Sequence, residues 1–151
     1  MTKIEIQDST INIVAYHYVR PIKNSKYSNI KGLEFDDFKK QINFFQKKFD
    51  IISQQDFIDI LHTKKIPKKP SFLLTFDDGF KDHYQYVFPH LIKKKISACF
   101  YPSIKTIENK IVLNIHKIHF ILEKELNRRK ILDGINSILI KQKYKSLNEI
   151  D

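Results

Sequence analysis

Two carboxylates and a glycine, Asp77-Asp78-Gly79, follow directly on the apolar run Ser71-Phe72-Leu73-Leu74-Thr75-Phe76. A run of that kind reads as a strand buried on both faces, as in a parallel sheet. Ligands of α/β sheets sit beyond the carboxyl ends of such strands. Two carboxylates turned toward one pocket repel each other. A divalent cation bound to one of them relieves the conflict and leaves the other free as a general base toward an activated water. Gly79 permits the sharp turn that lets both acids face the same space. Asp and Gly also dominate ordinary turns and caps, so the tripeptide alone reads equally as a plain turn. The buried strand in front of it shifts the reading toward chemistry.

Other chemistries are excluded by what the chain lacks. It has three isolated glycines, Gly32, Gly79 and Gly134, too few for either a dinucleotide fingerprint or a phosphate loop. The acidic pair is therefore not the second half of a nucleotide-triphosphate site. A phosphatase of the Asp-x-Asp-Gly type needs an acid two positions before Asp78, where Phe76 stands. One cysteine, Cys99, rules out an intrachain disulfide and a zinc–cysteine cluster, and its mid-strand position suits a small core residue. The net charge of +10 could attract nucleic acid, but the excess of lysine is spread over the whole chain. A lysine-rich solvated surface is the favoured reading, with no nucleic-acid partner. No segment has the ~20 apolar residues of a membrane span. The first residues lack a secretory pattern, so a cytoplasmic location is expected.

The elements that must position the acids can be read from periodicity. Ile11–Val19 is a β-branched and aromatic run ended by Arg20-Pro21, a strand with His17 at its carboxyl end. After a polar loop, Phe35, Phe38, Ile42, Phe45 and Phe49 have helical spacing, with Glu34, Asp36 and Asp37 in the first turn and Lys47 and Lys48 in the last. These phenylalanines read as a buried stripe. Ile51-Ile52 is a short strand candidate, and Ser53 with Asp56 forms a capping box for a helix carrying Phe57, Ile60 and Leu61. Past the acidic motif, Tyr84, Val87, Leu91 and Ile92 predict a helix with Pro89 as a kink or restart, and His83 and His90 are expected on its surface. Ser97–Tyr101 is a further strand, closed by Pro102. Strands alternating with helices at these intervals predict a parallel α/β unit. Residues 104–151 carry only helical spacing, in Val112 to Leu122 and Ile131 to Leu139, with a second capping box at Ser146 and Glu149.

Leu73-Leu74-Thr75-Phe76-Asp77-Asp78-Gly79-Phe80 resembles the first signature motif of the polysaccharide deacetylase (NodB-homology) family, carbohydrate esterase family four. Val14-Ala15-Tyr16-His17-Tyr18-Val19 resembles that family's opening strand, and Val87-Phe88-Pro89-His90-Leu91 with Ala98-Cys99-Phe100-Tyr101 resembles the helix and strand after the motif. The resemblance covers about residues 11–103. It implies an α/β fold, the N-terminal part of a distorted (β/α) barrel, incomplete here, with a helical C-terminal segment. Residues 1–103 would be the deacetylase-like portion and 104–151 an insertion cut short. The implied activity is metal-dependent hydrolysis of acetyl groups from sugars of a polysaccharide or glycan precursor, at carbon–nitrogen bonds that are not peptide bonds. By position, Asp77 would be the catalytic base and Asp78 the ligand of a divalent metal ion, zinc first, with cobalt or nickel as alternatives. His17 would line the sugar pocket, although a structural histidine is an equal reading.

The chain departs from the family pattern in three motifs. A His-x-x-x-His pair, an Arg/Pro motif and a late Leu/His motif are expected and missing. The nearest pair, His116 and His119, has a spacing of three, which shares a helix face but reads better as a partly buried structural pair or as one exposed histidine. Two further readings therefore stand beside the enzyme: a catalytically inactive truncated fragment or glycan-binding module, and a basic nucleic-acid binder supported by charge alone.

Overall fold

The chain, a computed structural model in which residues 10–65 and 67–142 are described, alternates strands with helices. The order is β1 (Ile11–Tyr16), β2 (Val19–Arg20), β3 (Leu33–Glu34), α1 (Phe35–Lys48), β4 (Asp50–Ile51), α2 (Gln54–Thr63) and β5 (Ser71–Asp78). A π-helical turn (His83–Val87), α3 (Phe88–Lys94), β6 (Cys99–Pro102), α4 (Ile104–Glu108), α5 (Asn114–Lys124) and α6 (Arg128–Lys141) follow. The described residues fall into two units. The first takes those up to Ser25 and Gly32–Ile111; the second takes Lys26–Lys31 and those from Val112 onward.

In the first unit β5 is the central strand, and all of its neighbours run parallel to it. β1 covers one edge from Ile11↔Ser71 to Tyr16↔Phe76. On the other edge β4 pairs with its start and β6 with its end, where Asp77 faces Tyr101 and Asp78 faces Pro102. Ser71 to Phe76 are all buried, as the uninterrupted apolar run predicts. The parallel α/β expectation holds. The strand predicted over Ile11–Val19 divides in two: β1 ends with its ladder at Tyr16, and Val19-Arg20 pairs with β3 in a separate sheet. Tyr18 marks the break, its carbonyl accepting the Leu33 N–H at 2.8 Å.

The core lies between β5 and the helices that return across it. Tyr16, Val19, Phe38, Ile42, Leu74, Phe76, Val87 and Leu91 form one buried cluster. Phe76 stacks on Tyr16 and on Phe100, both at 4.9 Å, and Phe38 meets it edge-on at 5.9 Å. Fully burying a side chain of this size contributes ~2–3 kcal/mol. Burial also pushes the Tyr16 hydroxyl up to about 12, so it stays protonated toward Gln41 at 3.2 Å. The α1 stripe is as predicted, with Asp36 and Asp37 in its first turn. Glu34 instead precedes the helix and accepts the N–H groups of Ile22 at 2.8 Å and Lys23 at 3.0 Å, which folds the loop back onto the helix start. The Ser53–Asp56 capping box is present, but Phe57 and Ile60 are only half-buried and Leu61 is exposed.

In the second unit, α5 and α6 are the helices their spacing predicts, and α6 is capped by Asn127 accepting the Arg129 and Lys130 N–H groups. Tyr27 packs edge-on against Phe120 at 4.7 Å. The capping box at Ser146 and Glu149 lies outside the described residues. Among those described, no helix is long and apolar enough to cross a membrane.

Candidate active site

The acids sit where the central strand leaves the sheet. In a regular strand, successive side chains point to opposite faces, which would send Asp77 and Asp78 apart. The backbone prevents this. Asp78 has φ +71° and Gly79 φ +65°, two consecutive left-handed residues that turn the second carboxylate back. A non-glycine residue in that region costs ~1–2 kcal/mol, so the packing around Asp78 must hold it there. Gly79 has no alternative: a Cβ there would stand 2.6 Å from the Cβ of Pro102 on β6.

His17 follows β1 and stands beside both acids. Its Nδ1 is 2.8 Å from Asp78 Oδ2, and its Nε2 is 3.9 Å from Asp77 Oδ2. The side chains of His17, Asp77 and Asp78 are 56%, 35% and 22% exposed, so the group is open enough to meet a ligand and Asp78 is its most enclosed member. All three residues singled out from the sequence are thus brought together. An apolar cavity of about 280 Å³ starts at Gly79 and runs past Phe80, His83, Tyr84, Phe88, Phe100 and Pro102.

Three contacts tie the segment after the acids to the segment carrying His17. Tyr18 stacks on Phe80 at 4.4 Å, Arg20 forms an ion pair with Asp82, and His83 Nε2 meets the His17 carbonyl oxygen at 2.6 Å. Burial raises the Tyr18 hydroxyl above its ordinary range. Sequence reasoning missed Arg20, Asp82 and His83. It placed His83 on the surface, whereas the residue is 3% exposed. The cause is the widened turn at 83–87, in which Phe88 N–H donates to the His83 carbonyl. That turn breaks the 3.6-residue period and rotates His83 onto Phe76 at 5.3 Å and Phe80 at 5.7 Å. Pro89, which cannot donate to residue 85, was the one signal of it. Desolvation lowers the affinity of His83 for a second proton. His90 is also drawn inward, edge-on to Phe35 and Phe38, and desolvation shifts it the same way.

The remaining candidates belong to other elements. His116 is buried and His119 half-buried on α5, with ring centroids 6.4 Å apart, in keeping with a partly buried pair. Cys99 is a buried thiol beside Gln54. Carboxylate and imidazole donors are the types that zinc takes, and catalytic zinc takes about three from the protein. Among the described residues, however, no group of three or more His, Cys, Asp and Glu side chains is arranged to hold a metal ion. The His17–Asp77–Asp78 group therefore has the right donor chemistry but is not a complete metal centre.

A scan against protein-family models and a search of curated proteins find no match. Solved structures do match. A de-N-acetylase from Aggregatibacter actinomycetemcomitans is 26% identical with a TM-score of 0.51, over 61% of this chain and 37% of that one. IcaB from Ammonifex degensii is 26% identical with a TM-score of 0.50, over 64% of this chain and 39% of that one. The deacetylase PplD of Streptococcus pyogenes, solved with acetate, is 21% identical with a TM-score of 0.56, over 74% and 51%, and this likeness bears on fold alone. The chain therefore spans about half or less of the length of these proteins. In its acidic motif and in its parallel α/β fold alike, it is similar to the polysaccharide deacetylase family.

Proposed function

We propose that this chain carries the acidic part of the active site of a carbohydrate de-N-acetylase, acting on acetylated sugars of a polysaccharide or glycan precursor. The observation that supports this most is the convergence of Asp77, Asp78 and His17 at the carboxyl end of the central parallel strand. The likeness to solved de-N-acetylases supports the reaction class. In this reading the sheet is the first part of a distorted (β/α) barrel. Asp77 is the general base: it takes a proton from the water that attacks the acetyl carbonyl. The proton then passes from Asp77 to the amide nitrogen as the carbon–nitrogen bond breaks, and acetate and the sugar amine leave. Asp78 is the ligand of a divalent cation, zinc first with cobalt or nickel as alternatives. His17 orients Asp78 and lines the sugar pocket.

A second reading is favoured by one observation: among the described residues no group of three or more His, Cys, Asp and Glu side chains is arranged to hold a metal ion. The chain would then be a catalytically silent glycan-binding module. Incubating the full chain with an N-acetylglucosamine oligomer and zinc, and measuring released acetate, separates the two. Acetate release that a chelator stops and Asp77→Asn abolishes supports the enzyme. Oligomer binding without acetate release supports the silent module and overturns the enzyme reading for this chain.

A further inference from the structure

We infer that His83 is a positioning residue, which fixes where His17 meets the acid pair by donating a hydrogen bond from its Nε2 to the His17 backbone carbonyl. The inference goes beyond deacetylation, because it would hold whatever chemistry the acids perform.

The argument starts from a buried ring with only one way to satisfy its protons. The carbonyl oxygen of His17 can only accept, so at 2.6 Å the proton must lie on Nε2 of His83. Its Nδ1 is buried and has no hydrogen-bond partner. An N–H there would be left unsatisfied at a cost of ~1–3 kcal/mol, so Nδ1 carries a lone pair and the ring is neutral. Burial among aromatic rings, and the lowered proton affinity it causes, agree with this. His83 is thereby a fixed donor of one tautomer.

What it holds is the short link between two sheets. β1 ends at Tyr16 and β2 begins at Val19, so His17 and Tyr18 belong to neither ladder. The Tyr18 carbonyl is bound by Leu33 and the His17 carbonyl by His83. With both carbonyls fixed, the His17 ring is aimed at Asp78 and not released to solvent, although more than half of its side chain is exposed. An exposed imidazole held only by its own contact to Asp78 would lose much of that contact to side-chain entropy. The Tyr18–Phe80 stack and the Arg20–Asp82 pair flank the same link. Within this set His83 alone binds the backbone of the residue that touches the acids.

Long-range ¹⁵N–¹H NMR of the imidazole rings tests this on the full chain at neutral pH. The wild type should show His83 protonated on Nε2 and His17 protonated on Nδ1, the nitrogen facing Asp78. His83→Phe keeps an aromatic ring against Phe76 and Phe80 but has no donor. It should lose the Nδ1–H signature of His17, which reverts to the Nε2–H form of a free imidazole, while the far-UV circular dichroism stays native. His83→Gln, whose side-chain amide reaches about as far as Nε2, should restore the His17 signature. Unchanged His17 signals in a folded His83→Phe chain would overturn the inference, as would a His83→Gln chain that behaves like His83→Phe. Should His83→Phe not fold, the wild-type spectrum still decides, because a His83 ring protonated on Nδ1 contradicts the proposal outright.

Discussion

The strand β5 and the helices α5 and α6 put their apolar sequence to different ends. Ser71 to Phe76 are buried without a break, and the residues that follow are held in a strained turn against β6 and β1. In α5 and α6, Ile118, Ile121, Leu122, Ile138 and Ile140 stand exposed, and no residue of α6 is fully buried. Both regions contain histidines and carboxylates. Only in the first does packing fix the backbone tightly enough to put a non-glycine residue in the left-handed region, and there an imidazole meets two acids. The difference teaches that residue types alone did not mark the site. Burial of the strand in front of them did.

That contrast is open to direct attack. The largest effect expected is on turnover. Asp77→Asn should lower acetate release ~10²–10⁴-fold with the fold intact, the usual reach of a general base, whereas His119→Ala should leave release unchanged. Equal losses in the two variants would erase the distinction. Next in size is stability, followed by urea denaturation. Phe76→Ala removes a ring at the centre of the core and should cost ~3–5 kcal/mol, while Ile138→Ala on the exposed face of α6 should stay within ~0.5 kcal/mol.

The glycines sharpen the same comparison with opposite signs. Gly79→Ala meets Pro102 at 2.6 Å in a left-handed backbone and should destabilise by about 2 kcal/mol or more. Gly134→Ala, in the middle of α6 with open space around it, should stabilise by ~0.5–1 kcal/mol. The smallest effect is on pH dependence. Burial holds His83 and His90 below the ordinary histidine value, so the unfolded chain binds their protons more readily than the folded one. Stability should be level above pH ~6.5 and fall as the pH drops through and below that value. His83→Gln should flatten part of that fall in thermal melts; an unchanged profile would mean that His83 does not contribute to it.

Much of the scaffold was legible because its signals are local. The continuous apolar run gave β5, the 3-4-3-4 spacing of phenylalanines gave α1, and Ser53 with Asp56 gave the start of α2. The acid pair was legible from its place after that run. What stayed hidden depends on contacts between distant residues. Asp78 takes the left-handed turn that the sequence assigned to Gly79 alone, because β6 and His17 constrain it. Arg20 and Asp82 lie far apart in the chain, and nothing local pairs them. His83 was misplaced because a π-helical turn shifts the helix face by a fraction of a turn, which a fixed period cannot follow.

The central claim is that the chemistry belongs to the acids at the end of β5 and not to the histidines of α5. Backbone ¹H–¹⁵N spectra recorded during a zinc titration test it most directly. Signals of His17, Asp77 and Asp78 should move first and saturably, and Asp78→Ala should abolish those shifts. Zinc shifts centred on His116 and His119, with the β5 signals still, would contradict the account.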